Sequence, residues 1–183
     1  MRVITGTARG RVLRTLEGED VRPTTDRVKE AIFSIIQFEL EGRRVLDLFA
    51  GSGQLGIEAL SRGAAYATFT DMSAESVDIV KQNLLATKLG GNAEVLRTEA
   101  VTFLKGNRKK YDIIFMDPPY SKGILQDTLP YAVRNVNDGG VIICEHPYGE
   151  EMPQKVGNFS VYRDYKYGKI CITVYRIGEE DDR

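Results

Sequence analysis

Two short segments hold the residues that can do chemistry. One is Asp47-Leu48-Phe49-Ala50-Gly51-Ser52-Gly53-Gln54-Leu55-Gly56, whose glycines let a backbone turn tightly and approach a ligand with no Cβ in the way. The other is Asp117-Pro118-Pro119-Tyr120, directly after the apolar run 113–116. The exocyclic amine of a nucleobase is a poor nucleophile, because its lone pair is delocalised into the ring. The Asp117 carboxylate and a main-chain carbonyl, that of Pro118, can accept its two N–H hydrogens. That holds the nitrogen in line with a donor methyl and favours the charge developing on it. Two prolines fix the backbone so that the carbonyl keeps its direction. Tyr120 offers a face on which a planar base stacks, worth ~1–3 kcal/mol.

Asp71 stands 20 residues after Gly51, at the end of the next expected strand, where a carboxylate can accept both hydroxyls of a ribose. Asp47, four residues before the first glycine, bears on which nucleoside is bound. A carboxylate so close to the loop repels a pyrophosphate, but suits the cationic amino-acid end of S-adenosylmethionine. The plainer readings are that Asp47 caps the following turn and that Pro-Pro is loop punctuation. The two segments together favour methyl-donor chemistry.

The elements that must position these segments alternate along the chain. Residues 1–16 show short β-type alternation around a Gly-Thr-Ala-Arg-Gly turn, which predicts a hairpin. Arg22-Pro23-Thr24-Thr25-Asp26 opens a helix with Val28, Ile32, Ile35 and Ile36 on one face. Strands follow at 45–49, 67–70, 93–97, 111–116 and 141–144, with helices at 55–61, from 73 to near 90, around 100–104 and around 125–133. Two alternating strands at 160–165 and 170–176, joined through Tyr167-Gly168, close the pattern. Strand–helix alternation of this kind predicts a parallel α/β sheet covered on both faces.

The chain has 183 residues, 42% hydrophobic and 28% charged, a balance that closes one core and excludes low-complexity disorder. No apolar run is long enough to span a bilayer, and the opening residues lack a secretory h-region. Cys144 and Cys171 are too few for a disulfide framework or a zinc site, so a reducing cytoplasm and no metal are expected. The net charge is −1, so a nucleic acid would have to be held by a local patch. Residues 1–14 supply one, with Arg2, Arg9, Arg11 and Arg14 and no acid. The basic run 105–110 reads as a solvated loop, and the lone histidine, His146, as structural.

Taken together, these segments resemble class I S-adenosylmethionine-dependent methyltransferases that modify amine or amide nitrogens through an (Asp/Asn)-Pro-Pro-(Tyr/Phe) motif. Arg2-Val3-Ile4-Thr5-Gly6, Arg9-Gly10-Arg11 and Arg22-Pro23-Thr24-Thr25-Asp26-Arg27-Val28-Lys29-Glu30-Ala31 narrow the resemblance. They are similar to the bacterial RsmD-type family of guanine-N2 methyltransferases acting on small-subunit ribosomal RNA. The resemblance implies a Rossmann-like α/β fold: a seven-stranded, mostly parallel sheet with a reversed C-terminal strand and a small N-terminal hairpin-and-helix extension. It implies an RNA-contacting extension over 1–40, a catalytic domain over 41–178 and an acidic tail over 179–183. It assigns the cofactor to Asp47, Phe49, Gly51, Gly53, Asp71 and Met72, with Glu99 and Ala100 beside the adenine, and catalysis to Asp117, Pro118, Pro119 and Tyr120. RNA contacts fall to Arg2, Arg9, Arg11, Arg22, Thr24 and Arg27. The implied substrate is RNA in an assembling small subunit, modified by a monomer.

The chain departs from the family pattern at Thr5, where a glycine-like residue is expected, and at Thr98-Glu99, where Asp or Asn is commoner. The rival activities are methylation of adenine or of a protein glutamine, where Asn more often precedes Pro-Pro, and a dinucleotide-dependent oxidoreductase. A non-catalytic RNA-binding module would not need the tetrapeptide.

Overall fold

The computed structural model describes residues 1–17, 25–120 and 123–178. In chain order these form α1 (Asp26–Ile35), β1 (Arg44–Asp47), α2 (Gln54–Ser61), β2 (Tyr66–Asp71), α3 (Ala74–Thr87), β3 (Ala93–Arg97), α4 (Ala100–Gly106) and β4 (Tyr111–Met116). There follow α5 (Ile124–Ala132), β5 (Val136–Pro147), β6 (Lys155–Val156), β7 (Phe159–Tyr167) and β8 (Ile170–Ile177). One sheet takes all the strands, in the order β3-β2-β1-β4-β5-β8-β7-β6. The first five are parallel, and the last three run antiparallel to their neighbours.

The Rossmann-like arrangement and the reversed strand beside β5 agree with expectation, but the sheet has eight strands rather than seven. The extra one is β6, where Lys155 and Val156 pair with Ser160 and Phe159. A two-residue edge strand is too short to have a readable period.

Strand alternation sorts the core into two layers. Val45, Phe69, Ile113, Phe115, Val141 and Ile143 face the helices α1, α2 and α3, meeting Ile32, Phe33, Ile57, Val80 and Leu84. Leu46, Ile114, Met116, Ile142 and Cys144 face the other side, meeting Leu104, Leu125 and Leu129 of α4 and α5. Because both faces are covered, the central strands read as nearly unbroken apolar runs.

The expected N-terminal hairpin is present only in its shortest form, without regular strands. A single bridge joins Arg2 and Val12, supported by hydrogen bonds from Val3 N–H to Arg11 and from Leu13 N–H to Met1. The rest is a turn moulded onto α2. Gly6 has φ +91°, and a Cβ there would overlap the carbonyl of Ser61. Val3, Ala8 and Leu13 belong to the same core layer as β1 and β4, as do Val28, Ile32 and Phe33 of α1.

A buried acid fixes that docking. Glu58, wholly buried in α2, accepts hydrogen bonds from Ile4 N–H (2.9 Å) and Thr5 N–H (3.0 Å). It also pairs with Lys29 of α1 (3.5 Å) and Arg62 (3.0 Å). The Lys29 ammonium, itself wholly buried, donates to the Arg2 carbonyl at 3.0 Å. Its pKa is lowered by burial, against which Glu58 pulls. Glu58→Gln would leave that cation in the core without its counter-charge, a loss of ~3 kcal/mol or more. Urea unfolding should show the midpoint falling accordingly; a midpoint unchanged from wild type would mean the cluster contributes nothing.

Candidate active site

The parallel strands end at one rim, and the sequence-marked acids gather there. Asp47 is the last residue of β1, Asp71 the last of β2, and Asp117 directly follows β4. Since β1 lies between β2 and β4, three carboxylates stand on neighbouring strand ends, on the layer covered by α1, α2 and α3. This is the crevice where open α/β sheets bind ligands.

Asp47 is 2% exposed, and its Oδ2 accepts the N–H of Gly56 in the first turn of α2 at 2.9 Å. The turn-capping role is therefore real and leaves the ligand role open. Burial pushes its pKa up to about 8, with the Gly56 bond opposing and the negative charges of Asp117 and Asp71 adding to the rise. A rim with this charge favours a cation and disfavours a pyrophosphate.

The loop between Asp47 and α2 is held by main-chain bonds from Ala50 N–H to Thr70 and from Gly53 N–H to Ala50. Gly51 and Gly53 have φ of +57° and +81°, which glycine adopts without strain. Asp71 secures the loop: its Oδ2 accepts Gly51 N–H and its Oδ1 accepts Ser73 N–H, both at 2.9 Å. Each oxygen keeps a lone pair, so a ribose diol can still be bound. Met72 is 67% exposed at the rim, and Phe49 is half-buried against the second core layer. Arg97 donates to the Met72 carbonyl at 3.1 Å, tying β3 to the same edge.

Glu99 has an occupation the sequence reading overlooked. It caps α4, taking the N–H groups of Val101 (2.9 Å) and Thr102 (2.7 Å) and the Thr102 hydroxyl (2.9 Å). Desolvation alone would raise its pKa; these bonds outweigh it and hold the group below the usual carboxylate range. The pattern Glu99-Ala-Val-Thr102 was the available signal. Ala100, buried, is the first residue of α4.

In the tetrapeptide, Pro118 is buried, Asp117 half-buried, Pro119 exposed and Tyr120 43% exposed, three residues beyond Asp117 at the end of β4. His146 lies buried on β5. Its Nε2 is 2.8 Å from the Thr173 hydroxyl, which donates to Asp164 at 2.7 Å, a chain across three strands away from the acids.

Arg2, Arg9, Arg11 and Arg27 are all exposed. They are not all at the rim. The turn 6–8 rests on Ser61 at the far end of α2, ~12 Å from the glycine loop for an eight-residue helix. Arg14 is nearer. Asn83, buried in α3, receives its N–H at 2.8 Å and donates to the carbonyls of Arg14 (3.0 Å) and Ser52 (2.8 Å), joining the N-terminal arm to the cofactor loop. An amide inside the apolar stripe of α3 was the missed signal. Arg22 and Thr24, assigned to RNA from sequence, and the tail 179–183 lie outside the described residues.

A family model described as "Conserved hypothetical protein 95" matches residues 1–176. The "Putative rRNA methyltransferase YlbH" of Bacillus subtilis is 40% identical over 181 residues, covering 96% of this chain and 98% of that one. The "Ribosomal RNA small subunit methyltransferase D" of Escherichia coli is 37% identical over 179 residues, covering 96% and 89%. The chain belongs to the RsmD-type methyltransferase family. A solved structure, the "Putative methyltransferase yhhF from Escherichia coli", aligns with a TM-score of 0.86 and 35% identity over 97% of this chain and 99% of that one. Membership of the RsmD type extends over both chemical segments and the N-terminal arm together. No helix among the described residues is long and apolar enough to cross a membrane.

Proposed function

We propose that the protein transfers a methyl group from S-adenosylmethionine to the exocyclic N2 amine of one guanine in small-subunit ribosomal RNA. The observation that carries the reading is the meeting of three acids and an Asp-Pro-Pro-Tyr turn at one rim, Asp47 being buried with a pKa of about 8. The names of the curated relatives support ribosomal RNA as the substrate class.

The cofactor fits the residues present. Asp71 and the Gly51–Gly53 backbone would hold the ribose side, Asp47 the amino-acid end, and Met72, Glu99 and Ala100 the adenine side. When bound, it supplies an electrophilic methyl group on a sulfonium. The chain does the rest. The Asp117 carboxylate and the Pro118 carbonyl accept the two hydrogens of the amine and so fix its nitrogen. Tyr120 stacks on the extruded base. No strong base is needed, since the methylated amine loses its proton readily to water. Arg2, Arg9 and Arg11, beside the end of α2, and Arg27 of α1 supply phosphate contacts, with Arg22 and Thr24 assigned the same role from sequence alone.

The test is transfer of tritiated methyl to small subunits purified from a strain lacking the gene, followed by nucleoside analysis. Label in N2-methylguanosine is the expected result. Label on protein alone, or in methyladenosine, would overturn the reading.

A further inference from the structure

We propose that Glu145 reads the N1–H of the target base and so makes the site select guanine; this rests on the guanine-N2 reading above. The β4–β5 register pairs Met116 with Cys144, so the next residues, Asp117 and Glu145, follow side by side on adjacent strands, ~4.8 Å apart in the pairing direction. Alternation sets both on one face. Phe115 and Ile143, two residues earlier, belong to the layer under α1, α2 and α3, the layer of Asp47 and Asp71. Three strand ends and the adjoining β5, two residues before its own end, thus present acids in a row, and the mechanism has no task for the fourth.

Glu145 is 5% exposed, opposite the wholly buried Ile172 of β8, with half-buried Tyr165 beyond. An acid in such a wall is retained only where donors meet it. Glu145 has an interaction within the protein, so an arriving base would exchange one partner for another.

The Watson–Crick edge of guanine carries N2–H2 and N1–H next to one another, two donor groups in sequence. Adenine carries an amine beside N1, whose lone pair points outward. Two carboxylates side by side match the first edge. They set an acceptor against an acceptor on the second. With Tyr120 fixing the ring plane, Asp117 takes an N2 hydrogen and Glu145 the N1 hydrogen.

The test uses 2-aminopurine, which keeps the N2 amine but has a lone pair at N1, placed at the target position of the RNA. Wild type should methylate guanine at least ~100-fold faster than 2-aminopurine, as expected where a buried polar partner is lost. Glu145→Gln can donate to N1, so its kcat/KM on guanine should fall ~20-fold while that on 2-aminopurine rises. Its affinity for S-adenosylhomocysteine should stay that of wild type.

Equal wild-type rates on the two bases would overturn the proposal whatever the variant does, as would a Glu145→Gln enzyme with an unchanged preference. Those outcomes leave the guanine-N2 reading standing if natural RNA still yields N2-methylguanosine. A different methylated nucleoside from wild type would instead remove that reading, and this proposal with it.

Discussion

Replacing Asp117 with alanine should leave a folded protein that binds S-adenosylhomocysteine within ~3-fold of wild type, yet transfers methyl groups at least ~100-fold more slowly. The side chain stands at the end of β4, outside the strand pairing, so the sheet does not need it. Its negative charge helps push the Asp47 pKa upward, so its removal should ease ionisation of Asp47 rather than hinder the cofactor. What disappears is the acceptor that orients the amine and stabilises the charge growing on it. Asp117→Asn keeps one oxygen acceptor and should fall between the two. Single-turnover rates measured at saturating cofactor separate this loss from weakened binding. Unchanged turnover in Asp117→Ala would remove the residue from the chemistry.

The second large effect concerns Asp47. Its folded pKa of about 8 lies far above an ordinary carboxyl value near 4, so the ligand-free protein holds this proton at neutral pH. A ligand cation beside it favours the ionised form. Affinity for S-adenosylhomocysteine, whose ammonium is the cation, should therefore rise between pH 6 and 8, by up to ~10-fold per unit, and level off above. At pH 7 binding should release close to one proton, visible by calorimetry in buffers of different ionisation enthalpy. Asp47→Asn should bind ~50-fold more weakly at pH 8.5 and show no such slope.

Stability runs the other way. A carboxyl whose pKa is raised on folding contributes fully below about pH 4, and its contribution is gone once the pH passes about 8. The asparagine variant can still accept the Gly56 N–H, and it escapes that loss. Without ligand it should melt ~5 °C above wild type at pH 8.5. A wild-type affinity that is flat with pH would contradict the pairing of Asp47 with a cation.

Much of this arrangement could be read from residue types, for reasons that separate the successes from the failures. β3 and β4 fall where Ala93–Arg97 and Tyr111–Met116 were expected. For β4 the reason is an unbroken apolar run buried on both faces, whereas β3 is a half-exposed edge strand marked by the turns on either side of it. Thr25 caps α1 as its hydroxyl suggested, accepting Val28 N–H at 3.3 Å.

β5 was placed at 141–144 but runs from Val136 to Pro147, since the polar residues 137–140 look like a turn. They form instead an irregularity within the strand, between the Tyr111–Val136 and Ile113–Val141 pairs. The N-terminal hairpin is shorter than its alternation suggested, a single antiparallel bridge between Arg2 and Val12, because Val3, Ala8 and Leu13 are spent on packing into the core layer of the sheet. Glu58, Asn83 and Glu145 escaped notice for one physical reason. A polar residue inside an apolar stripe has no period of its own, and contacts such as Glu58 with Ile4 N–H and Asn83 with the Arg14 carbonyl join residues more than 50 apart in the chain.

The most direct measurement is a crystal structure of the protein soaked with S-adenosylhomocysteine. The ligand's sulfur should lie between the 51–53 loop and the 117–120 turn, its ribose hydroxyls on Asp71 and its ammonium facing Asp47. A sulfur lying elsewhere, with the Asp117 carboxylate facing away from it, would contradict the account.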